Sequence, residues 1–327
     1  MDISHFNHLN RLILIKSAGR YLLPLMSICI TLVLATACAP AAPSPPGATV
    51  DNLGRLVNID QIPQRIISLA PANTEVLFAL GLGDKVVGVT DFCNYPPQAL
   101  EKEKVGGFST PDIEKIIALQ PDLILASSIH AQEVIPALEE RNLTVFALAP
   151  ENLNGILESI QTVGKITGRQ QEASRLVTQM ENRIEVTTDK TQNLENRPRV
   201  FCIIWHDPLY SVGSQTIEQE LIEKAGGMNI FQDAFTKYKT VDLEGVIVLN
   251  PEVIIAFRGH GEAQSKPFEW AQGESRLMVT QAYKNNRIYQ IDGDLIARTG
   301  PRIVDALEYL AYFIHPELFP NPSVATT

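Results

Sequence analysis

The sequence predicts an α/β protein of two lobes, each a mostly parallel sheet flanked by helices, bridged by a single long α-helix. Three observations predict this fold: an internal repeat of one helix–strand unit, an alternation of strand-like and helix-like runs, and one long helical segment between the two repeats. The 327 residues, 45% of them hydrophobic and 20% charged, are enough for two globular domains, each with its own core.

The internal repeat covers residues 112–126 (DIEKIIALQPDLILA) and 242–256 (DLEGVIVLNPEVIIA). Seven of the fifteen aligned positions are identical. Each copy predicts a short helix that ends near a proline and is followed by a buried strand. One duplication indicates two similar lobes, whereas a solenoid needs three or more shorter units.

Each lobe also opens with a predicted buried strand, at Arg65–Leu69 and at Arg199–Ile203, followed by an amphipathic helix that ends in glycine. Between the lobes, residues 170–194 contain neither glycine nor proline, and their apolar residues form one helical stripe. A helix of this length would span about 37 Å. We interpret it as a stiff bridge that lets the lobes rock slightly; the alternative is a surface helix of one domain.

The N-terminal segment has the pattern of a secretion signal. Basic residues precede an apolar run, Tyr21–Ala37, and Leu34–Cys38 resembles a bacterial lipobox, in which Cys38 is lipidated. The alternative is a retained membrane anchor, although 17 residues with a proline are short for a bilayer of about 30 Å.

The predicted organisation is a signal peptide (1–37), a Pro-rich tether (38–51), a first lobe (52–168), a bridging helix (169–197), a second lobe (198–318) and a flexible tail (319–327).

Charge, cysteine and motif content exclude several functions. The net charge of −10 argues against a broad nucleic-acid-binding face. Cys93 and Cys202 fall in different predicted lobes, so we expect two separate buried or half-buried thiols. The sequence has no nucleophile elbow, phosphate-binding loop or histidine spacing typical of a metal site, so we expect no cofactor and no metal. A hydrolase or oxidoreductase that uses Cys93, His206 and Asp207 is a remote alternative.

Aromatic residues are few, but they concentrate in loops at the ends of predicted strands. In open α/β sheets, ligands bind outside the carboxyl ends of the strands, and aromatic side chains there suit a large flat or apolar ligand. The predicted ligand-binding residues are Phe92, Tyr95, Phe108, Trp205, His206, Tyr210, Tyr238, Arg258 and Arg298.

The repeated helices begin with acidic residues. Thr110 is the predicted N-cap of the first of them, with acidic residues in its first turn. Glu114 and Glu244 occupy matching positions, one in each lobe. Carboxylates near a helix N-terminus gain roughly 0.3–1 kcal/mol from the helix dipole, which alone would explain them. The alternative is a matched pair that docks an external partner.

Over residues 52–316 the chain resembles the periplasmic binding proteins of ABC importers for cobalamin and iron–siderophores. The segments that carry the resemblance are, in order, RIISLAPANTEVLFALG, VGVTDFCNYPP, VGGFSTPDIEKIIALQPDLILA, the long helix and TVDLEGVIVLNPEVIIAF. Within this group, residues 71–75 and 94–99 are most similar to the cobalamin-binding member. The resemblance implies two α/β lobes bridged by one long helix.

The resemblance also implies roles for individual residues. Glu114 and Glu244 match glutamates that pair with arginines of the membrane permease, each pair being worth about 1.5–3 kcal/mol if partly desolvated. Aromatic residues that line the corrinoid cleft correspond to Phe92, Phe108, Tyr210 and Tyr238. Ser127 stands where that member has a tryptophan. Arg258 and Arg298 correspond to the rim of the cleft, where siderophore-binding relatives use arginines to neutralise anionic ligands.

Together these observations predict a monomeric, lipid-anchored, extracytoplasmic solute-binding protein that captures cobalamin between its lobes and delivers it to the ABC permease. On this interpretation the protein is not an enzyme. The alternative ligands are a ferric siderophore or haem, with His206 or His260 as a haem contact.

Overall fold

The computed structural model describes residues 47–258 and 266–322. The strands are β1 (Gly47–Val50), β2 (Leu56–Ile59), β3 (Ile66–Ser68), β4 (Val86–Val89), β5 (Leu123–Ala126), β6 (Val145–Ala147), β7 (Arg199–His206), β8 (Leu209–Val212), β9 (Met228–Asn229), β10 (Tyr238–Thr240), β11 (Val253–Arg258) and β12 (Ile288–Asp292). The helices are α1 (Pro71–Ala79), α2 (Ile113–Ala118), α3 (Val134–Glu139), α4 (Leu153–Thr167), α5 (Gln170–Thr191), α6 (Ile217–Lys224), α7 (Leu243–Leu249), α8 (Pro267–Gly273), α9 (Gln281–Lys284), α10 (Gly293–Ala297) and α11 (Ile303–Ile314).

The first lobe is built on a parallel sheet of four strands in the order β4-β3-β5-β6. The residues of β3 and β5 are all buried, because helices cover both faces of a parallel sheet. Side chains alternate between the two faces, so Ile66 belongs to one core cluster and Ile67 to another. The alternation of strands and helices that the sequence predicts is confirmed here.

The second lobe has a mixed sheet in the order β10-β8-β7-β11-β12, with β9 beside β7. The strands β7, β9, β11 and β12 are parallel, whereas β8 and β10 are antiparallel to their neighbours. The chain reverses at Asp207 and Pro208, and two residues between strands suffice only for an antiparallel hairpin. The sheet is therefore mostly parallel, with an antiparallel edge that the sequence patterns did not indicate.

The bridging helix α5 runs over 22 residues, a length of about 33 Å. It packs against α4 of the first lobe and α11 of the second. The predicted stripe is its buried face, with Ala173, Val177 and Met180 all under 10% exposed. The helix ends at Thr191, a few residues earlier than the sequence pattern predicts. The two lobes and this single helix form the predicted fold class.

Two predicted boundaries differ from the structure. The tether was expected to reach residue 51, but β1 pairs with β2 in an antiparallel hairpin, so an ordered element begins at Gly47. Asp51 is buried, and its carboxylate accepts a hydrogen bond from the main-chain N–H of Ala147 at 3.1 Å. At the other end, Phe319 was placed in a flexible tail but is 9% exposed, with the ammonium of Lys190 4.9 Å from its ring centroid.

Cys93 and Cys202 are both buried and are not joined in a disulfide, which confirms the expected pair of separate thiols. Of the helices that the structure describes, none is both long and apolar enough to cross a membrane. The lipobox with Cys38, the predicted signal and His260 lie outside the described residues.

Candidate functional site

The two repeated helices begin in the same way. Asp112 and Asp242 are their N-caps, and the carboxylates accept hydrogen bonds from the N–H groups of Lys115 at 3.1 Å and Gly245 at 2.6 Å. The cap of the first helix is therefore Asp112, and the prediction of Thr110 was wrong by two residues. Since these aspartates satisfy the helix ends, the following glutamates are not needed as caps.

Those glutamates, Glu114 and Glu244, are both exposed, each on the first turn of its helix. Within the described residues, Glu244 has one ionic neighbour, since a guanidinium nitrogen of Arg276 lies 3.4 Å from its carboxylate. Both partners are more than half exposed, and an ion pair of this kind contributes at most about 1 kcal/mol. The carboxylate of Glu244 is thus accessible to an external partner at little energetic cost.

Three predicted ligand-binding aromatics lie together on the antiparallel edge of the second sheet. Trp205 is opposite Tyr210, and Tyr210 is opposite Thr240. Directly opposed residues share a face of the sheet, and so do residues two apart, which places Trp205, Tyr210 and Tyr238 on one face. Val212, opposite Tyr238 on that face, belongs to the core cluster that also contains residues of the first lobe.

Tyr238 is anchored through its hydroxyl, while the residue as a whole remains 41% exposed. The hydroxyl donates to the carboxylate of Glu218, at 3.0 and 3.3 Å from the two oxygens. The hydroxyl of Tyr210 in turn contacts the carbonyl oxygen of Tyr238 at 3.4 Å. Glu218 is only 2% exposed, and burial raises the pKa of its carboxyl group to about 7.

Phe108, on the first lobe, is held by a buried histidine. The Nε2 atom of His130 lies 2.7 Å from the carbonyl oxygen of Phe108, and the two rings make an edge-to-face contact at 5.6 Å. The other ring nitrogen, Nδ1, accepts the main-chain N–H of Ser127 at 3.0 Å. Burial lowers the pKa of His130, so the neutral ring with its proton on Nε2 fits both bonds.

His206 lies between two tryptophans at the end of β7. Its ring centroid is 6.4 Å from that of Trp205 and 6.3 Å from that of Trp270 on α8. The indole N–H of Trp205 donates to the carbonyl oxygen of Asp207 at 2.7 Å, which orients the ring. The three rings form a half-buried aromatic cluster next to the two tyrosines.

Arg298, which the resemblance assigns to the rim of the ligand cleft, lies at the junction of the two lobes. Its side chain is only 10% exposed, and it makes ion pairs with Glu75 at 3.3 Å and Asp294 at 2.6 Å. It also donates to the side chain of Asn94 at 2.7 Å and the carbonyl oxygen of Phe92 at 3.3 Å. Its charge is balanced by Glu75 and Asp294, and its contacts with Glu75, Asn94 and Phe92 join the two lobes.

The same junction contains a second arginine that the sequence analysis did not identify. Arg302 donates two hydrogen bonds to Glu75, at 2.6 and 2.9 Å, and its guanidinium lies 3.9 Å from the ring centroid of Tyr95. Glu75 is 2% exposed and so is shared by two arginines of the opposite lobe. A second link runs the other way: the carboxylate of Glu220 accepts the N–H of Leu153, at the start of α4, at 2.8 Å.

Two cavities, of about 680 and 590 Å³, flank this junction, and both are lined by Tyr95 and Arg302. Exposed Arg258 lines the smaller one, together with Arg183. Neither cavity is lined by Phe108, Tyr210 or Tyr238, so the predicted ligand-binding residues do not form one enclosed pocket. Tyr95 and Arg258 lie at the junction cavities, and the carbonyl oxygen of Phe92 contacts Arg298 at the same junction. Trp205, Tyr210 and Tyr238 lie on the antiparallel edge of the second sheet.

Sequence reasoning missed three buried polar residues that contact the lobe junction or the candidate ligand-binding aromatics, namely Glu75, His130 and Glu218. Glu75 was inside a quoted motif, yet nothing local indicated arginines from another lobe. Glu218 looked like an ordinary acidic residue in the first turn of a helix. In the part of the chain that the structure describes, no three His, Cys, Asp or Glu side chains gather as a metal site would require.

Comparison with known proteins gives consistent matches. A family profile described as a periplasmic binding protein matches residues 66–295. An uncharacterized ABC transporter substrate-binding lipoprotein of Bacillus subtilis is 34% identical over 279 residues, which is 83% of this chain and 86% of that protein. A vitamin B12-binding protein of Vibrio cholerae is 30% identical over 253 residues, covering 77% of this chain and 89% of its own length.

Among solved structures, the periplasmic heme-binding protein of Roseiflexus in its apo form superposes with a TM-score of 0.68 at 25% identity. The superposition covers 78% of this chain and 99% of that protein. The matched length includes both lobes and the bridging helix, so the likeness extends to the whole two-lobe architecture.

Proposed function

This chain belongs to the periplasmic binding protein family of ABC importers, and from that premise we propose that it captures a corrinoid, cobalamin, between its lobes and delivers it to an ABC permease. Proteins of this family bind solutes and do not transform them, so the chain is not an enzyme. We further propose that it acts as a monomer outside the cytoplasm, held at the membrane by a lipid on Cys38.

The observation that carries the ligand proposal is the set of anchored aromatic side chains of Phe108, Tyr210 and Tyr238, of which the first two are half-buried and the third is exposed. A corrinoid is a large, partly apolar ring system, and fixed aromatic faces bind such a ligand with little loss of conformational entropy. The B12-binding relative at 30% identity supports the same ligand.

Haem is the second candidate. It is favoured by the cluster in which His206 lies between Trp205 and Trp270, since imidazole is a common axial ligand of haem iron. The heme-binding relative supports this alternative. A ferric siderophore is less well supported, because Arg298, one of the two arginines expected to neutralise it, is occupied by Glu75 and Asp294.

The ligand is tested by titrating the purified protein with cyanocobalamin, hemin and ferrichrome under equilibrium dialysis, with the emission of Trp205 and Trp270 as a second readout. We expect saturable binding of cyanocobalamin and about tenfold or greater loss of affinity when Tyr210 and Tyr238 are both replaced by alanine. Tyr283→Ala, on α9, is the matched control and should bind normally. Saturable binding of hemin alone would overturn the corrinoid proposal.

The docking role of Glu114 and Glu244 is tested by transport. The double variant Glu114→Ala, Glu244→Ala should bind ligand normally but lose most of the uptake supported by the wild-type protein. The control replaces two exposed glutamates of the bridging helix, Glu181 and Glu185, with alanine. If the docking variant transports as well as this control does, the two carboxylates only stabilise their helix ends.

Lipidation is tested with Cys38→Ser. We expect the variant to appear in the soluble extracytoplasmic fraction with its ligand affinity unchanged. A variant that stays in the membrane fraction would point instead to a retained anchor formed by the apolar run Tyr21–Ala37.

A further inference from the structure

A buried carboxylate without an ionic partner lies behind the exposed ring of Tyr238. Glu218 is 2% exposed, and within the described residues it forms no ion pair. Burying a carboxyl group away from water is costly unless other groups satisfy its oxygens. The hydroxyl of Tyr238 does so, at 3.0 and 3.3 Å, together with the main-chain N–H of Glu218 itself and the side chain of Thr216.

Glu218 is not needed to begin its helix. The N-cap of α6 is Thr216, whose hydroxyl accepts the N–H of Gln219 at 3.1 Å. The carboxylate bonds the main-chain N–H of Glu218 and the side chain of Thr216 within the helix start. Its contact with Tyr238 joins α6 to the edge strand β10.

Tyr238 needs such an anchor because it lies on β10, the edge strand of the sheet. The residue is 41% exposed, so packing alone constrains its side chain less than that of a core residue. The bond to Glu218 fixes the far end of the side chain, and Tyr210 contacts its carbonyl oxygen. The ring is therefore held in one orientation before any ligand arrives.

We propose that Glu218 is a positioning residue of the ligand site, which fixes the exposed ring of Tyr238 through a hydrogen bond to its hydroxyl. The inference rests on the proposed function, in which Tyr238 contacts the ligand. Ordering a side chain in advance removes an entropic cost of binding, which corresponds to about two- to tenfold in affinity.

The anchor depends on the charge of the carboxyl group, since a carboxylate accepts a stronger hydrogen bond than a carboxylic acid does. Burial raises the pKa of Glu218 to about 7, so ligand affinity should fall as the pH drops from 8 to 6. The other titratable groups that interact with it are Tyr238 on β10 and Cys202 on β7. Burial raises the pKa of both, so they keep their protons in this range.

Charges on the surrounding helices do not change this expectation. Glu220 and Lys224, on the same helix, are 3.9 Å apart and pair with each other. In the described parts of α5, α10 and α11, which pack against α6, no charged side chain bonds to Glu218. A change in affinity near pH 7 that is lost in Glu218→Gln is therefore attributable to this carboxyl group.

The test measures the Kd of cyanocobalamin at pH 6.0, 7.0 and 8.0 for the wild type, Glu218→Gln and Tyr238→Phe. We expect the wild type to bind about two- to tenfold more tightly at pH 8.0 than at pH 6.0, with a midpoint near 7. Both variants should bind more weakly at pH 8.0 and show no such change. The control Glu223→Gln, exposed on the same helix, should follow the wild type. A Glu218→Gln variant that keeps the wild-type pH profile would overturn the proposal.

A measurement without ligand separates this inference from the choice of ligand. With 3-fluorotyrosine at position 238, the ¹⁹F resonance should titrate near pH 7 in the otherwise wild-type protein and not in Glu218→Gln. If this titration is seen but cyanocobalamin does not bind, only the proposed ligand is wrong, and the affinity series is run with hemin. If the resonance does not titrate in the wild-type background, Glu218 does not position Tyr238, whatever the ligand is.

Discussion

Replacing Glu218 with glutamine should change how the stability of the protein depends on pH. The carboxyl group is 2% exposed, and burial raises its pKa from the ordinary 4.5 to about 7. In the unfolded chain the group ionises near pH 4.5, whereas in the folded protein it keeps its proton until about pH 7. The contribution of the carboxyl group to stability is thus fully present below pH 4.5 and is lost as the pH rises through 7.

The size of the effect on stability follows from the difference between the pKa of Glu218 in the unfolded chain and its pKa in the folded protein. Each pH unit corresponds to about 1.4 kcal/mol, so the difference between 4.5 and about 7 amounts to about 3 kcal/mol. Glutamine has nearly the same shape but does not titrate. The free energy of unfolding of the wild type, minus that of Glu218→Gln, should therefore decrease by about 3 kcal/mol between pH 4.5 and pH 8.

Urea denaturation at pH 4.5, 5.5, 6.5, 7.5 and 8.5 measures this difference, because the other titrating groups are common to both proteins and cancel. The control Glu223→Gln, exposed on the same helix, should stay within about 0.5 kcal/mol of the wild type throughout. If the difference for Glu218→Gln is constant across the range, the carboxyl group is not held neutral by burial. If it increases with pH, the environment favours the charged form and our reasoning about burial is refuted.

Three further predictions concern other parts of the molecule. Glu75→Gln should lower the free energy of unfolding by about 3 kcal/mol in urea titrations, because it removes the buried carboxylate that Arg298 and Arg302 share at the lobe junction. A loss under about 1 kcal/mol would mean that the junction does not depend on this carboxylate. Cys93 and Cys202, both buried, should react with Ellman's reagent only after denaturation, and rapid reaction of either native thiol would contradict their burial. Gly213→Ala should lower the melting temperature by several degrees, because the added Cβ would lie 2.2 Å from the carbonyl oxygen of Phe235. An unchanged melting temperature would show that the backbone adapts freely.

The local parts of the fold could be predicted from the sequence because they depend on neighbouring residues. The repeat around Asp112 and Asp242 predicted two helix–strand units, and both helices are capped by these aspartates. The buried face of the bridging helix was visible as a 3.6-residue period. Errors arose at boundaries, such as the first strand at Gly47, whose pairing with β2 is not indicated by its own residues.

For the predicted ligand-binding residues, the sequence pattern does not give their arrangement in space or their bonding partners. The sequence predicted that aromatics such as Tyr210 and Tyr238 lie at strand ends. That the two lie on one face of the sheet follows from the register of the antiparallel strands β8 and β10, which the sequence did not indicate. The resemblance assigned Arg298 to the rim of the ligand cleft. The residues around an arginine in a loop give no sign of which side chains it will pair with. In the structure its partners include Glu75, more than 200 residues away in the chain.

The sequence by itself determined the duplicated α/β lobes and the helix that bridges them, because helix period, strand alternation and capping act over a few residues. Only the tertiary structure decided which polar groups are buried and what they bond to. Glu75, His130 and Glu218 gain their roles from residues that lie far away in the chain. Burial and charge pairing depend on distances in space, and those distances are set only when each lobe has folded and, for Glu75, when the two lobes have packed together.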